Sequence, residues 1–82
     1  MKPELILKLK EQFKAEQMAY SCYETIKDMV DDEFLESALE EIMYDEYLHA
    51  KFVRNYLMEM NAYDPNQHPD LEKIYFKMMQ MD

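Results

Sequence analysis

The chain contains no glycine, and its three prolines stand at Pro3, Pro65 and Pro69. Glycine and proline are the residues that most often interrupt a helix, so nothing in residues 4–64 breaks regular helical structure. At a rise of about 1.5 Å per residue, this stretch suffices for two helices of roughly 40 Å each. The sequence therefore predicts an all-α fold.

Two long helices can be placed within this stretch. Pro3 suits the first turn of a helix, and the apolar spacing that follows predicts a first helix over about residues 3–30. Asp31 and Asp32 then offer side-chain oxygens that can cap a new helix. The second helix is predicted over about residues 33–61, and it should run back antiparallel to the first.

A short third helix is predicted over about residues 69–81. Pro69 suits its first turn, and Asp70 and Glu72 place negative charge where the helix dipole favours it. The whole chain, residues 1–82, is therefore expected to be one domain, in which a long antiparallel helical hairpin is followed by a short C-terminal helix.

The charge and the cysteine content limit the partners that we expect. Eighteen acidic residues against nine Lys and Arg give a formal net charge of -9, which repels nucleic acid and anionic lipid. The lone Cys22 cannot form an internal disulfide, and no long apolar run is present, so a cytoplasmic protein is expected. A chain this short buries a limited core, and a metal or a second subunit would add stability.

Apolar residues at steps of three and four predict one core stripe on each long helix. The first stripe consists of Leu5, Leu9, Phe13, Glu16, Tyr20 and Tyr23. The second consists of Leu35, Leu39, Ile42, Glu46, His49, Val53, Tyr56 and Met60. Each stripe thus carries ionisable groups and lacks Lys and Arg. A carboxylate in an apolar bundle costs several kcal/mol unless it is protonated, paired or bound to metal.

These ionisable groups predict a metal site formed by Glu16, Glu46 and His49. Glu46 and His49 are one turn apart on one helix face and can reach a common ion. Glu16 stands fifteen residues before Asp31 and Glu46 fifteen residues after it, so an antiparallel hairpin places both at similar heights. Carboxylate oxygens and imidazole nitrogen suit iron, manganese or zinc. Because Glu-x-x-His also occurs by chance, a metal-free helical dimerisation module is the alternative.

Two segments resemble the metal-binding helices of the ferritin-like superfamily, in particular those of rubrerythrins and encapsulated ferritins. "FKAEQMAYSCY" is similar to the first of these helices, with Glu16 at the ligand position. "YDEYLHAKF" is similar to the second, with Glu46 and His49 at the ligand positions. The resemblance covers about residues 5–60. In that family a Glu from each of two helices and Glu-x-x-His from each of two others surround two metals.

This chain has one such pair of helices and therefore half of the ligands. The resemblance implies that a homodimer, or a multiple of dimers, restores a four-helix bundle around a two-fold axis. It also implies two irons per dimer, with Glu46 bridging them and with Glu16 and His49 as terminal ligands.

The activity implied by the resemblance is oxidation of Fe(II) by oxygen, in iron handling or in defence against oxidative stress. Tyr20, Tyr23 and Asp45 are expected to form hydrogen bonds with the ligands, and no catalytic residue beyond the ligands is predicted. The chain has no pair of Cys-x-x-Cys motifs, so a rubrerythrin-like reduction of peroxide would need an outside electron donor. A structural manganese or zinc site without catalysis is a further alternative.

Overall fold

A computed structural model describes residues 2–82 and gives three α-helices in this range: α1 at Pro3–Met29, α2 at Glu33–Glu59 and α3 at Pro69–Met79. A short 3-10 turn, Pro65–Gln67, precedes α3, and the described residues contain no strand. The predicted all-α fold is therefore confirmed. None of the helices described within residues 2–82 is long and apolar enough to cross a membrane.

The two ends of α2 are set by the Asp32 side chain and by the backbone conformation of Asn61. The Asp32 side chain accepts a hydrogen bond from the backbone N–H of Leu35 at 3.0 Å, which is the N-cap that the sequence predicts. At the other end, Asn61 has φ 54°, in the left-handed region, and the N–H of Ala62 donates to the carbonyl of Leu57. Asparagine tolerates this conformation, so the helix ends at Glu59, two residues before the predicted boundary.

The core lies where α3 packs against both helices of the hairpin. Its buried residues are Phe13, Tyr20, Met43, Tyr47, Ala50, Val53, Leu57, Tyr63, Tyr75 and Met78. The stripe predicted for α2 is therefore largely wrong: Leu39 and Val53 are buried, but Ile42, His49 and Tyr56 are exposed. The physical reason is that α2 carries apolar residues on two neighbouring faces, and periodicity alone does not tell which of them α1 and α3 cover.

The second apolar face, here called the uncovered face, contains four residues of each long helix at intervals of seven. Seven residues make nearly two helical turns, so residues at this interval share one side of a helix. The members are Leu5, Gln12, Ala19 and Ile26 on α1, and Leu35, Ile42, His49 and Tyr56 on α2. The large apolar members are 38 to 44% exposed. Within residues 2–82, α3 leaves this face open, because it contacts the hairpin through other positions such as Gln17 and Arg54.

A buried ion pair that the sequence analysis did not find holds α3 in place. Arg54 donates hydrogen bonds from Nε and Nη2 to the two carboxylate oxygens of Glu72, and the Tyr63 hydroxyl donates to Glu72 Oε2 at 2.9 Å. The guanidinium also lies 4.5 Å from the centre of the Tyr75 ring. Burial alone would raise the pKa of Glu72, but the hydrogen bonds from Arg54 and Tyr63 and the guanidinium charge lower it.

Candidate metal centre

The three predicted ligands lie together between the core and the uncovered face, at the middle of the hairpin. Glu16 is only 7% exposed, and its Oε2 lies 3.5 Å from Nδ1 of His49. Glu46 stands one turn before His49, and its carboxyl group is near enough to that of Glu16 for Glu16 to raise its pKa. His49 itself is exposed. The structure thus brings Glu16 of α1 into contact with His49 of α2 and places Glu46 beside them.

Gln12 also belongs to this cluster, and the sequence analysis missed it. Its amide Nε2 donates a hydrogen bond to Glu16 Oε1 from one turn earlier on α1. This bond engages one carboxylate oxygen and leaves the other, Oε2, facing His49. The spacing of four residues between Gln12 and Glu16 was the available signal, because residues four apart on a helix are neighbours.

The electrostatics of the cluster are those of two carboxyl groups without a Lys or Arg partner. Within residues 2–82, His49 is the one basic side chain within 4.0 Å of Glu16. The pKa of Glu46 is raised to about 7, first by burial and then by the hydrogen bond to Glu16 and its negative charge. Near neutral pH, Glu46 of the metal-free chain therefore carries a proton much more often than an ordinary glutamate does.

The raised pKa of Glu46 predicts how the stability of the metal-free protein changes with pH. The pKa of Glu46 is about 7 in the folded chain and near 4.5 ordinarily. Between these values the folded state binds more protons than the unfolded state, so the contribution of Glu46 to the free energy of unfolding falls as pH rises. We expect a loss of about 1 kcal/mol between pH 4.5 and 7.5, because water screens this half-exposed group.

Urea unfolding of chelator-treated protein at both pH values and one protein concentration measures this loss. Glu46→Gln removes the titrating group and keeps the shape, so its stability should depend less on pH than that of the parent chain. Glu59→Gln, at an exposed carboxyl at the end of α2, is the matched control and should keep the parent dependence. Equal pH dependence in the parent and in Glu46→Gln would contradict the raised pKa of Glu46.

The three residues expected to support the ligands lie in different surroundings. Tyr20 is buried, and the pKa of its hydroxyl is raised first by burial and then by the charge of Glu24, one turn further from the cluster. Tyr23 is half-buried and packs against the core. Asp45 is exposed and acts on the cluster through its charge, which raises the pKa of Glu46. The structure therefore places the Tyr20 hydroxyl near Glu24. The hydrogen bond that supports the Glu16 carboxylate is donated by Gln12.

One chain supplies only part of a metal site. Within residues 2–82, no group of three or more His, Cys, Asp or Glu side chains is arranged to hold a metal ion. The chemistry of the donor set still suits a cation, because it combines two neighbouring carboxyl groups with an imidazole on the uncovered face. The residues present therefore fit half of a site that a second copy would complete.

Comparison of the chain with known protein families, with curated proteins and with solved structures gives no match. The resemblance to ferritin-like proteins accordingly depends on the ligand spacing of Glu16, Glu46 and His49 and on the long helical hairpin that carries them.

Proposed function

We propose that two copies of the chain pair through their uncovered faces into a four-helix, ferritin-like bundle, and that Fe(II) is bound and oxidised by oxygen at a centre shared between them. The observation that carries this proposal is the position of the Glu16, Glu46 and His49 cluster. It lies at the edge of the core, with His49 on the uncovered face, and within residues 2–82 no Lys or Arg lies within 4.0 Å of the buried carboxylate of Glu16.

The position of the cluster along the helices supports a shared site. Glu16 is the central residue of α1, and Glu46 is the central residue of α2. A two-fold axis through the middle of the uncovered face would therefore bring each cluster opposite its own copy. Such a pairing buries the apolar members of the face and doubles the donor set to four carboxylates and two imidazoles. That set matches the ligands of the two-metal sites in ferritin-like bundles.

Each side chain has a defined role in this proposal. Glu16 and Glu46 would hold Fe(II) and neutralise its charge, and Glu46 would lose its proton when the cation binds. Gln12 holds the Glu16 carboxylate in place through Oε1. The exposed imidazole of His49 supplies a nitrogen ligand. Two Fe(II) ions together would give two electrons to one oxygen molecule, which would leave as hydrogen peroxide after taking two protons from solvent, and the carboxylates would stabilise the Fe(III) product as hard oxygen ligands. The net charge of -9 favours the approach of cations.

Metal content and mass, measured on the same sample, test the proposal. We expect about one metal per chain, by elemental analysis, in a particle whose mass by light scattering is that of a dimer or a multiple of dimers. Glu46→Ala should lose the metal and the consumption of oxygen with added Fe(II). Glu59→Ala, which removes an exposed carboxyl at the end of α2, should keep both. Protein that binds none of Fe(II), Mn(II) and Zn(II) would disprove the metal centre.

A metal-free dimer is the second candidate, and the raised pKa of Glu46 favours it. A protonated Glu46 can donate a hydrogen bond to Glu16, which reduces the cost of two buried carboxyl groups without any metal. In that case Glu46→Gln, which keeps a donor at this position, leaves the dimer intact, and chelation leaves its stability unchanged. Under the metal proposal, chelation lowers the midpoint of thermal unfolding.

A further inference from the structure

A groove of about 700 Å³ lies between α1 and the segment that leads into α3. Its lining residues are all different from the members of the uncovered face, so the groove is separate from that face. Its volume lies within the range of pockets that bind small molecules, and its lining is predominantly apolar. The proposed metal centre makes no use of this groove.

The inner surface of the groove is aromatic and rigid. The rings of Phe13 and Tyr63 meet edge to face, with their centres 5.2 Å apart. The His68 ring stacks on Tyr63 at 5.1 Å and within 8° of parallel. Tyr63 is fixed in turn by its hydrogen bond to the buried Glu72. The remaining apolar lining consists of Met18, Pro69, Leu71 and Ile74. An apolar ligand would thus meet a surface that is already in place.

Two lysines stand on the α1 side of this groove, one turn apart, at Lys10 and Lys14. In the described part of the chain, neither has a carboxylate within 4.0 Å, whereas four other lysines do: Lys8, Lys27, Lys51 and Lys77. The groove also contains Glu11, which lies 3.6 Å from Lys8, and Asp70. Lys10 and Lys14 are the two lysines of the groove lining, and they give it positive charge in a chain whose net charge is -9.

We propose that this groove binds a small amphiphilic anion, with an apolar body against Phe13, Tyr63 and His68 and one carboxylate or sulfonate group at Lys10 and Lys14. Burial of the apolar body supplies the attraction, and the ammonium groups select the anionic end. The flexible lysine stems allow both charges to reach one anion at the mouth of the groove while staying in water.

A pair of fluorescent probes tests this proposal: 1-anilinonaphthalene-8-sulfonate, which is anionic, and N-phenyl-1-naphthylamine, which has the same rings without the sulfonate. In the double variant Lys10→Gln and Lys14→Gln, we expect the Kd of the anionic probe to rise about fivefold and that of the neutral probe to stay unchanged. Lys73→Gln, at an exposed lysine outside the groove, is the matched control and should bind both probes as the parent does. Dodecanoate should displace the anionic probe.

Two further measurements separate the groove from other apolar surfaces. Ile74→Glu places a charge in the lining of the groove and should weaken the binding of both probes. Circular dichroism checks that this variant keeps the helical content of the parent chain. Failure of the parent chain to bind the anionic probe would overturn the proposal, as would an equal effect of the double lysine variant on both probes. A change in particle mass on the double substitution, without probe binding, would instead show an interface between copies. Neither outcome depends on metal, so the groove and the metal centre are tested separately.

Discussion

Replacement of Arg54 by Met should lower the free energy of unfolding by about 3 kcal/mol. The side chains of Arg54 and Glu72 are 14% and 8% exposed, so this pair is almost entirely removed from water. Met fills much of the same volume but leaves Glu72 with the Tyr63 hydroxyl as its remaining hydrogen-bond donor. A buried carboxylate that loses its cation is strongly destabilising, and here it also loosens the contact between α2 and α3.

Urea denaturation, followed by circular dichroism at one fixed protein concentration, measures the effect of Arg54→Met. The matched control is Lys8→Met, because Lys8 forms an exposed pair with Glu11 at 3.6 Å, and its loss should change the stability little. The double variant Arg54→Met with Glu72→Leu removes both charges and should recover most of the loss. Equal stabilities of Arg54→Met and Lys8→Met would contradict the role given to the buried pair.

Local signals in the sequence were sufficient to predict the helices. The absence of glycine, the position of Pro3 and the capping side chain of Asp32 each act within one or two turns of the residue concerned, and the structure has helices there. The end of α2 was missed by two residues because its stop signal is Asn61 in the left-handed region, and asparagine occupies that region only in some contexts.

Contacts between distant residues were not predictable in the same way. Arg54 and Glu72 are 18 residues apart, and they meet only because the chain after α2 folds back onto the hairpin. The choice between the two apolar faces of α2 depends on the same docking. Periodicity assigned Ile42 and Tyr56 to the core, whereas α3 covers the neighbouring face. The residue pattern within one helix does not indicate which other helix will pack on each of its faces. The covered face of α2 could therefore be identified only from the tertiary structure.

The candidate metal centre was predictable from the sequence only in part. The juxtaposition of Glu16 and Glu46 was predictable, because equal distances from the turn place two residues at the same height in a hairpin. The unequal burial of Glu16 and His49 was not predictable: Glu16 is almost inaccessible, while His49 is open to solvent. That inequality follows from the position of the cluster at the edge of the core. It bears on function, since the open side of the cluster is the side that a second copy could reach.

A substitution far from the ligands tests whether the centre needs that second copy. Leu35→Asp lies eleven residues before Glu46, roughly 16 Å along α2, so the new carboxyl group cannot reach the cluster. The new charge falls in the first turn of α2, where the helix dipole favours it, so the single chain should fold normally. In a two-fold pair, however, it appears twice in the apolar interface. We expect a dissociation constant at least about 100-fold higher.

The expected result for Leu35→Asp is a folded monomer by light scattering that has also lost its metal, although every ligand is intact. A site built by one chain would keep its metal in this variant, and a dimer through another surface would keep its mass; either result contradicts the shared centre. Phe76→Asp is the matched control, because it changes an apolar residue 54% exposed on α3, away from the uncovered face. It should preserve both mass and metal. The loss of metal with Leu35→Asp would then follow from the loss of the partner's ligands alone.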